Sequence, residues 1–285
     1  MAKKLHKENW IIFLYKKHMK DLRYHYARGL IITVSMFFLS CQKEGSAPKS
    51  IGVAALTVVN TEPNSNPVVT LINSTSEIMW FSNANSIGYG NFYEYSTTPG
   101  ADTILAVQNN DDTLNINPKS ADLLYYSVQP LHSDGIYSLF LCGTDTSAPD
   151  YLFTTDSLPY HNPNDSVMGI RFVNLSAGSN PMAVNLEGLG TGSEVGNLPY
   201  KSITGFKNYA CNSGVANYVF VFRDAATGDS LTEYNFNASN NGFGLTDPNN
   251  GNLLTFRNVT IAIYGSVNSA SNTPVATMLI DNYYY

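Results

Sequence analysis

The chain has 285 residues, with 16 Lys+Arg against 22 Asp+Glu. Half of the basic residues lie in the first 40 positions, so residues 41–285 carry eight basic and twenty acidic side chains, a net charge of −12. That balance excludes nucleic acid as a partner, because such binding depends on neutralising phosphates, and it excludes attachment to an anionic membrane by charge alone. Only 13% of residues are charged, while Asn, Ser, Thr and Tyr are abundant, which predicts short strands and polar turns in place of long helices.

The first element is the apolar run Gly29–Leu39, preceded by Lys16, Lys17, Lys20, Arg23 and Arg28 and followed by Ser40 and Cys41. It falls short of the roughly 20 residues that a membrane-spanning helix needs, and it fits the apolar middle of a signal peptide. Basic flank, apolar run, small residue and cysteine occur in the order of the lipobox that this segment resembles. That resemblance implies a leader, residues 1–40, removed by cleavage, and a lipid on Cys41. Phe38 stands where the lipobox pattern usually has Leu. Trp10–Tyr15 is itself apolar, and a chain begun at Met19 has a leader of ordinary length. Lys43 and Glu44 resemble a short charged signal that directs lipoproteins to the outer face of an outer membrane. The expected location is therefore the outer membrane, facing the exterior, with the periplasmic face as the alternative. Residues 41–50 read as a flexible tether.

Beyond the tether the sequence repeats itself. Leu56–Val68 and Ile170–Met182 align at an offset of 114, matching Val59, Asn60, Ser65, Asn66 and Pro67 with Val173, Asn174, Ser179, Asn180 and Pro181. Further landmarks follow in the same order: Ile104–Val107 with Tyr218–Val221, then Ser138–Gly143 with Thr260–Gly265, then Asp156 with Asp281. Alternation predicts that the first strand of each half buries the Leu56/Ile170 parity, with Thr57 and Arg171 on the other. Asn60 and Asn174 fall at strand ends, where the side chain closes an Asx-turn. About seven short strands per half read as an immunoglobulin-like sandwich. The expected architecture is all-β, two tandem immunoglobulin-like β-sandwich domains over 51–160 and 165–285, divided at the Pro/Asn-rich segment Pro159–Asp165.

The segments "VVNTEPNSNPV", "GIYSLFLCGTDTSAPDYLFTTD", "GIRFVNLSAGSNPMAVNL" and "NLPYKSI" resemble domain-of-unknown-function family 4397, in tandem copies over 51–285. The resemblance implies β-sandwich domains outside the cytoplasm and supplies no catalytic residues.

Chemistry-bearing constellations are sparse. His132 and His161 lie in polar segments and are expected to be exposed, with no second ligand at metal-binding spacing. Asp111–Asp112 and Asp247–Gly251 read as turns, the latter one residue short of a calcium loop and without its closing Glu. Cys142 ends an apolar run and reads as a buried thiol; a bridge to Cys211 would have to join the two halves. No catalytic residues, metal site or cofactor are expected, and the chain reads as a non-enzyme. The ligand handle is aromatic: Trp80, Tyr89 and Tyr93, whose flat rings stack on sugars or pack as strand residues. The expected partners are the membrane, through the lipid, and a glycan or protein. The role is non-catalytic binding or envelope structure, with a glycan-binding accessory to polysaccharide uptake as the alternative. Asp followed by Ser or Thr and an apolar residue recurs at 102, 112, 156, 165 and 229, which resembles an O-glycosylation acceptor pattern and also reads as a turn entering a strand.

Overall fold

A computed structural model describes residues 52–73, 78–79, 86–109, 115–116, 123–162, 165–211, 217–237, 257–267 and 272–282. Cys41, Trp80, Asp111–Asp112 and Asp247–Gly251 lie outside these residues. The fold is all-β. The first half holds β1 (Ala54–Asn60), β2 (Val68–Ile72), β3 (Ile78–Met79), β4 (Ser86–Ile87), β5 (Asn91–Thr97), β6 (Gly100–Gln108), β7 (Asn115–Ile116), β8 (Leu123–Leu131), β9 (Ile136–Gly143) and β10 (Pro149–Asp156). The second holds β11 (Val167–Asn174), β12 (Met182–Leu186), β13 (Val195–Leu198), β14 (Ser202–Ile203), β15 (Lys207–Ala210), β16 (Asn217–Asp224), β17 (Ser230–Asn237), β18 (Asn258–Tyr264) and β19 (Ala276–Asn282).

The halves share a pairing scheme. In the first, one sheet runs β10-β9-β1-β5 and the other β4-β2-β6-β8. In the second, one runs β14-β11-β18-β19, with β15 also on β11, and the other β13-β12-β16-β17. The opening strand of each half lies parallel to its penultimate described strand, β1 on β9 and β11 on β18. The strand end is tied in the same way in both. Asn60 Nδ2 donates to the Ile87 carbonyl at 3.0 Å, and its Oδ1 accepts from the Glu62 amide at 3.2 Å. Asn174 Nδ2 donates to the Leu198 carbonyl at 3.0 Å, and its Oδ1 accepts from the Ser176 amide at 2.9 Å. These are the Asx-turns that the repeated Asn predicts.

Each half encloses its own core between its two sheets. Leu56, Val58, Ile104, Leu139 and Leu141 fill the first, and Ile170, Phe172, Phe220, Phe222 and Ile261 the second. The buried Leu56/Ile170 parity is as alternation requires. The opposite parity is buried too. Val59, Phe140, Cys142, Val173, Ala262, Tyr264, Met278 and Ile280 form a third core where the β1 sheet of one half packs on the β11 sheet of the other. Strands β9 and β18 have no exposed residue, as expected of strands covered on both faces.

Polar groups are also enclosed at this junction. Arg171, on the parity opposite Ile170, is buried, as are Thr57, Ser138, Asp156 and Thr260. His161 corrects the expectation of an exposed loop residue. It is buried, with Nε2 2.9 Å from Asn258 Oδ1, while Asn258 Nδ2 donates to the Pro159 carbonyl at 2.9 Å. The segment between the halves is therefore fastened to β18. Gly169 makes room for this knot: a Cβ there would stand 2.1 Å from Asn258 Oδ1.

Candidate functional site

Strand β5 is an edge of the β1 sheet, and its alternation divides its aromatic residues. Tyr93 and Tyr95 stand opposite Val58 and Leu56 and face the first core. Tyr95 packs against that core and burial raises its phenol pKa. Tyr93, two residues nearer the strand start, is 40% exposed, its ring edge-on to Tyr95 at 4.9 Å. The other parity turns to the second half. Phe92 joins the third core, and Glu94 is pushed up to about 7 by burial and by the charge of Asp281.

Tyr89 goes elsewhere. It sits edge-on to Tyr264 at 5.3 Å within the third core, and burial lifts its phenol to about 12. The aromatic residues named from the sequence thus separate, Tyr93 at an open edge and Tyr89 inside the junction.

The opposite edge of the first half, where β8 meets β10, holds a second aromatic cluster that sequence reasoning missed. The Tyr125 and Tyr151 rings meet edge-on at 4.7 Å, with Tyr151 44% exposed and Lys201 Nζ 5.6 Å from its centre. Gln129 Nε2 donates to the Tyr125 hydroxyl and to Ser127 Oγ, both at 3.0 Å. On the outer face of β8, Tyr126 and Val128 are 61% and 53% exposed. The available signal was the alternation in "LLYYSVQPL", with Tyr126, Val128 and Pro130 on one parity.

The junction holds several strongly perturbed titratable groups. Cys142 is a free, buried thiol pushed up to about 12 by burial, so it is protonated and inert as a nucleophile. Cys211 is also free and lies in the second core, apart from Cys142 in the third. The Tyr200 hydroxyl is shared between Cys142 Sγ and Asp150 Oδ2, each at 3.3 Å, and Lys201 pairs with Asp150 at 2.6 Å. Glu62 is fully buried, and both of its carboxyl oxygens lack a side-chain donor. Burial, with the nearby charges of Asp145 and Asp150, pushes it up to about 9. It is therefore an uncharged acid at neutral pH. Among the described residues, no three His, Cys, Asp or Glu side chains are placed to share a metal ion.

The Asp-Ser/Thr motifs differ among themselves. Asp102 is buried and accepts from Asn73 Nδ2 at 2.7 Å and Thr97 Oγ1 at 2.9 Å. Asp156 is buried against Arg171. The neighbouring Ser157, Ser166 and Ser230 are exposed.

No protein-family model matches the chain. No curated protein matches it in sequence. Among solved structures it is similar to a candidate adhesin from Bacteroides ovatus, at 12% identity over 81% of this chain and 95% of the other, with a TM-score of 0.23. It is also similar to the tip fimbrial protein Mfa3 from Porphyromonas gingivalis with C-terminal truncation, at 10% identity over 81% of this chain and 99% of the other, with a TM-score of 0.21. Scores this low do not establish a shared fold.

Proposed function

We propose that this chain is a lipid-anchored protein of the outer membrane, held through Cys41 and facing the exterior, that binds a partner or builds envelope structure without catalysing a reaction. The two halves serve as tandem immunoglobulin-like domains, 51–160 and 165–285, joined into one body. The observation that carries the reading is the placement of aromatic rings at both open edges of the first half, Tyr93 at one and Tyr126 and Tyr151 at the other. Exposed aromatic area presents a flat apolar face with a polar tip, the usual chemistry of a contact surface. The buried polar groups serve structure: Cys142 is protonated, His161 holds the segment between the halves, and Asp156 neutralises Arg171.

A second reading is favoured by Tyr93 itself. An exposed ring braced edge-on by Tyr95 suits stacking on a sugar, so a glycan-binding accessory to polysaccharide uptake fits the β5 edge. Tyr93 and Trp80 remain the proposed contacts, whereas Tyr89, named with them from the sequence, packs on Tyr264 in the third core and presents no ring to a ligand. A glycan array with the purified protein tests this reading, with Tyr93→Ala and Trp80→Ala beside it. Weak, broad binding that is lost in Tyr93→Ala at unchanged melting temperature supports the glycan reading. Equal binding by wild type and both variants contradicts it.

A further inference from the structure

We propose that β8 is a self-association edge through which two copies of this chain pair antiparallel about Ser127. Strand β8 ends its sheet, and among the described residues no strand hydrogen-bonds to its outer edge, although β10 of the facing sheet comes close enough for Tyr151 to meet Tyr125. Edge strands are normally guarded by charge. Among the other described edge strands of five or more residues, β5 carries Glu94, β10 Asp150 and β17 Glu233, while Asp281 of β19 is buried against Arg257. The nine residues of β8 carry no charge at all. In a chain whose residues 41–285 total −12, this is a long edge where two copies meet without opposing carboxylates.

The direction of the free backbone groups follows from Pro130. It pairs with Ala101 on β6 but has no N–H to give, so the Pro130–Ala101 pair is not a hydrogen-bonded one. On the same parity, Val128 opposite Thr103 and Tyr126 opposite Leu105 also turn their N–H and C=O outward, away from β6. Ser127 is the middle residue of the strand. Antiparallel pairing about it sets Tyr126 of one copy opposite Val128 of the other, and each such pair exchanges both N–H···O bonds. The register is self-complementary, as a two-fold interface must be. It joins an aromatic to a β-branched residue on each side of the axis, a favourable cross-strand pair.

The side chains agree. Leu105, beside Tyr126, belongs with Val69, Leu71 and Val107 to a buried apolar cluster on the outer face of this sheet. Tyr126 and Val128 extend that face to the edge and are exposed there. Pairing continues the apolar face into the second copy. Pro130 lacks one donor and limits the ladder to its centre. The area removed from water is on the order of 1,000 Å² in total, the low end for specific association, so pairing is weak and concentration-dependent.

Cysteine crosslinking of the purified full-length protein in detergent tests the register. Ser127 would face Ser127 of the second copy as a non-hydrogen-bonded pair, at a Cα spacing of about 4.5 Å that suits a disulfide. Ser127→Cys is expected to give an oxidant-dependent dimer on a non-reducing gel, and Val128→Cys, placed opposite Tyr126, much less. The native Cys142 and Cys211 are buried, and Cys41 is replaced by Ser in every variant, so no native thiol competes. Adding Val128→Lys to Ser127→Cys should lower the crosslinked fraction at least about tenfold with the melting temperature unchanged, since the site is exposed. Equal crosslinking at 127 and 128, crosslinking insensitive to Val128→Lys, or a chain that stays monomeric at high micromolar concentration each overturns the proposal, including the case in which β8 captures a foreign peptide or a glycan.

Discussion

The guanidinium of Arg171 stands 2.8 Å from the carboxylate of Asp156, across the junction between the two halves. Both side chains are buried. Asp156 also accepts from Ser138 Oγ at 2.6 Å and Thr154 Oγ1 at 2.9 Å. Arg171 Nε donates to Thr260 Oγ1 at 2.8 Å, and the guanidinium lies 4.7 Å from the centre of the Phe206 ring. Thr260 in turn donates to Asn282 Oδ1 at 2.7 Å. A buried ion pair adds little over an apolar pair of the same shape, but losing one partner strands the other charge in a dry site. Arg171→Ala or Asp156→Ala should therefore cost roughly 3–5 kcal/mol, and Arg171→Met with Asp156→Leu should recover most of it. Urea unfolding of the four proteins checks this. Additive single losses, with no recovery in the double variant, would contradict it.

Three cores in series predict how the chain unfolds. The third core is shared, so the intact protein should melt in one transition. Fragments 46–160 and 164–285 should each show β-type circular dichroism but melt at lower temperature, and mixing them should restore part of the difference. Two transitions in the intact chain, each coinciding with one fragment, would show that the junction couples nothing.

Glu62 ties stability to pH. Its ordinary pKa is 4.5 and its folded value is about 9, so between these the folded state holds a proton that the unfolded chain has released. This contribution is complete below about pH 4.5 and is lost as pH rises towards 9. Glu62→Gln should match wild type near pH 4 and exceed it at pH 8. Parallel stability curves for the two proteins would refute the assignment.

Tyr93 and Tyr95 should separate binding from folding. Tyr95→Ala removes a ring packed on the first core and should cost about 3 kcal/mol, whereas Tyr93→Ala, at the open edge, should cost less than about 1. If the edge is the contact surface, binding responds to Tyr93 first. Equal losses of stability would place both rings in the core.

The all-β class, the repeat and the two Asn turns were legible because each rests on local chemistry: alternation, turn residues and an offset that recurs. The junction was not. Thr57 and Arg171 carry polar groups on the parity opposite the core, the ordinary sign of a solvated face, and their burial depends on partners far away in sequence. Arg171 is answered by Asp156, and His161 by Asn258, 97 residues on. Tyr89 and Tyr93 look alike in sequence. Only the register of β5 on β1, and the arrival of Tyr264 from the other half, separates the enclosed ring from the exposed one.

The claim that this protein is held at the cell surface by lipid rests on Cys41, and growth of cells with labelled palmitate tests it directly. The wild-type chain should carry the label and fractionate with the outer membrane, and Cys41→Ala should carry none. Label retained in Cys41→Ala, or a wild-type chain that never takes it up, would contradict the account.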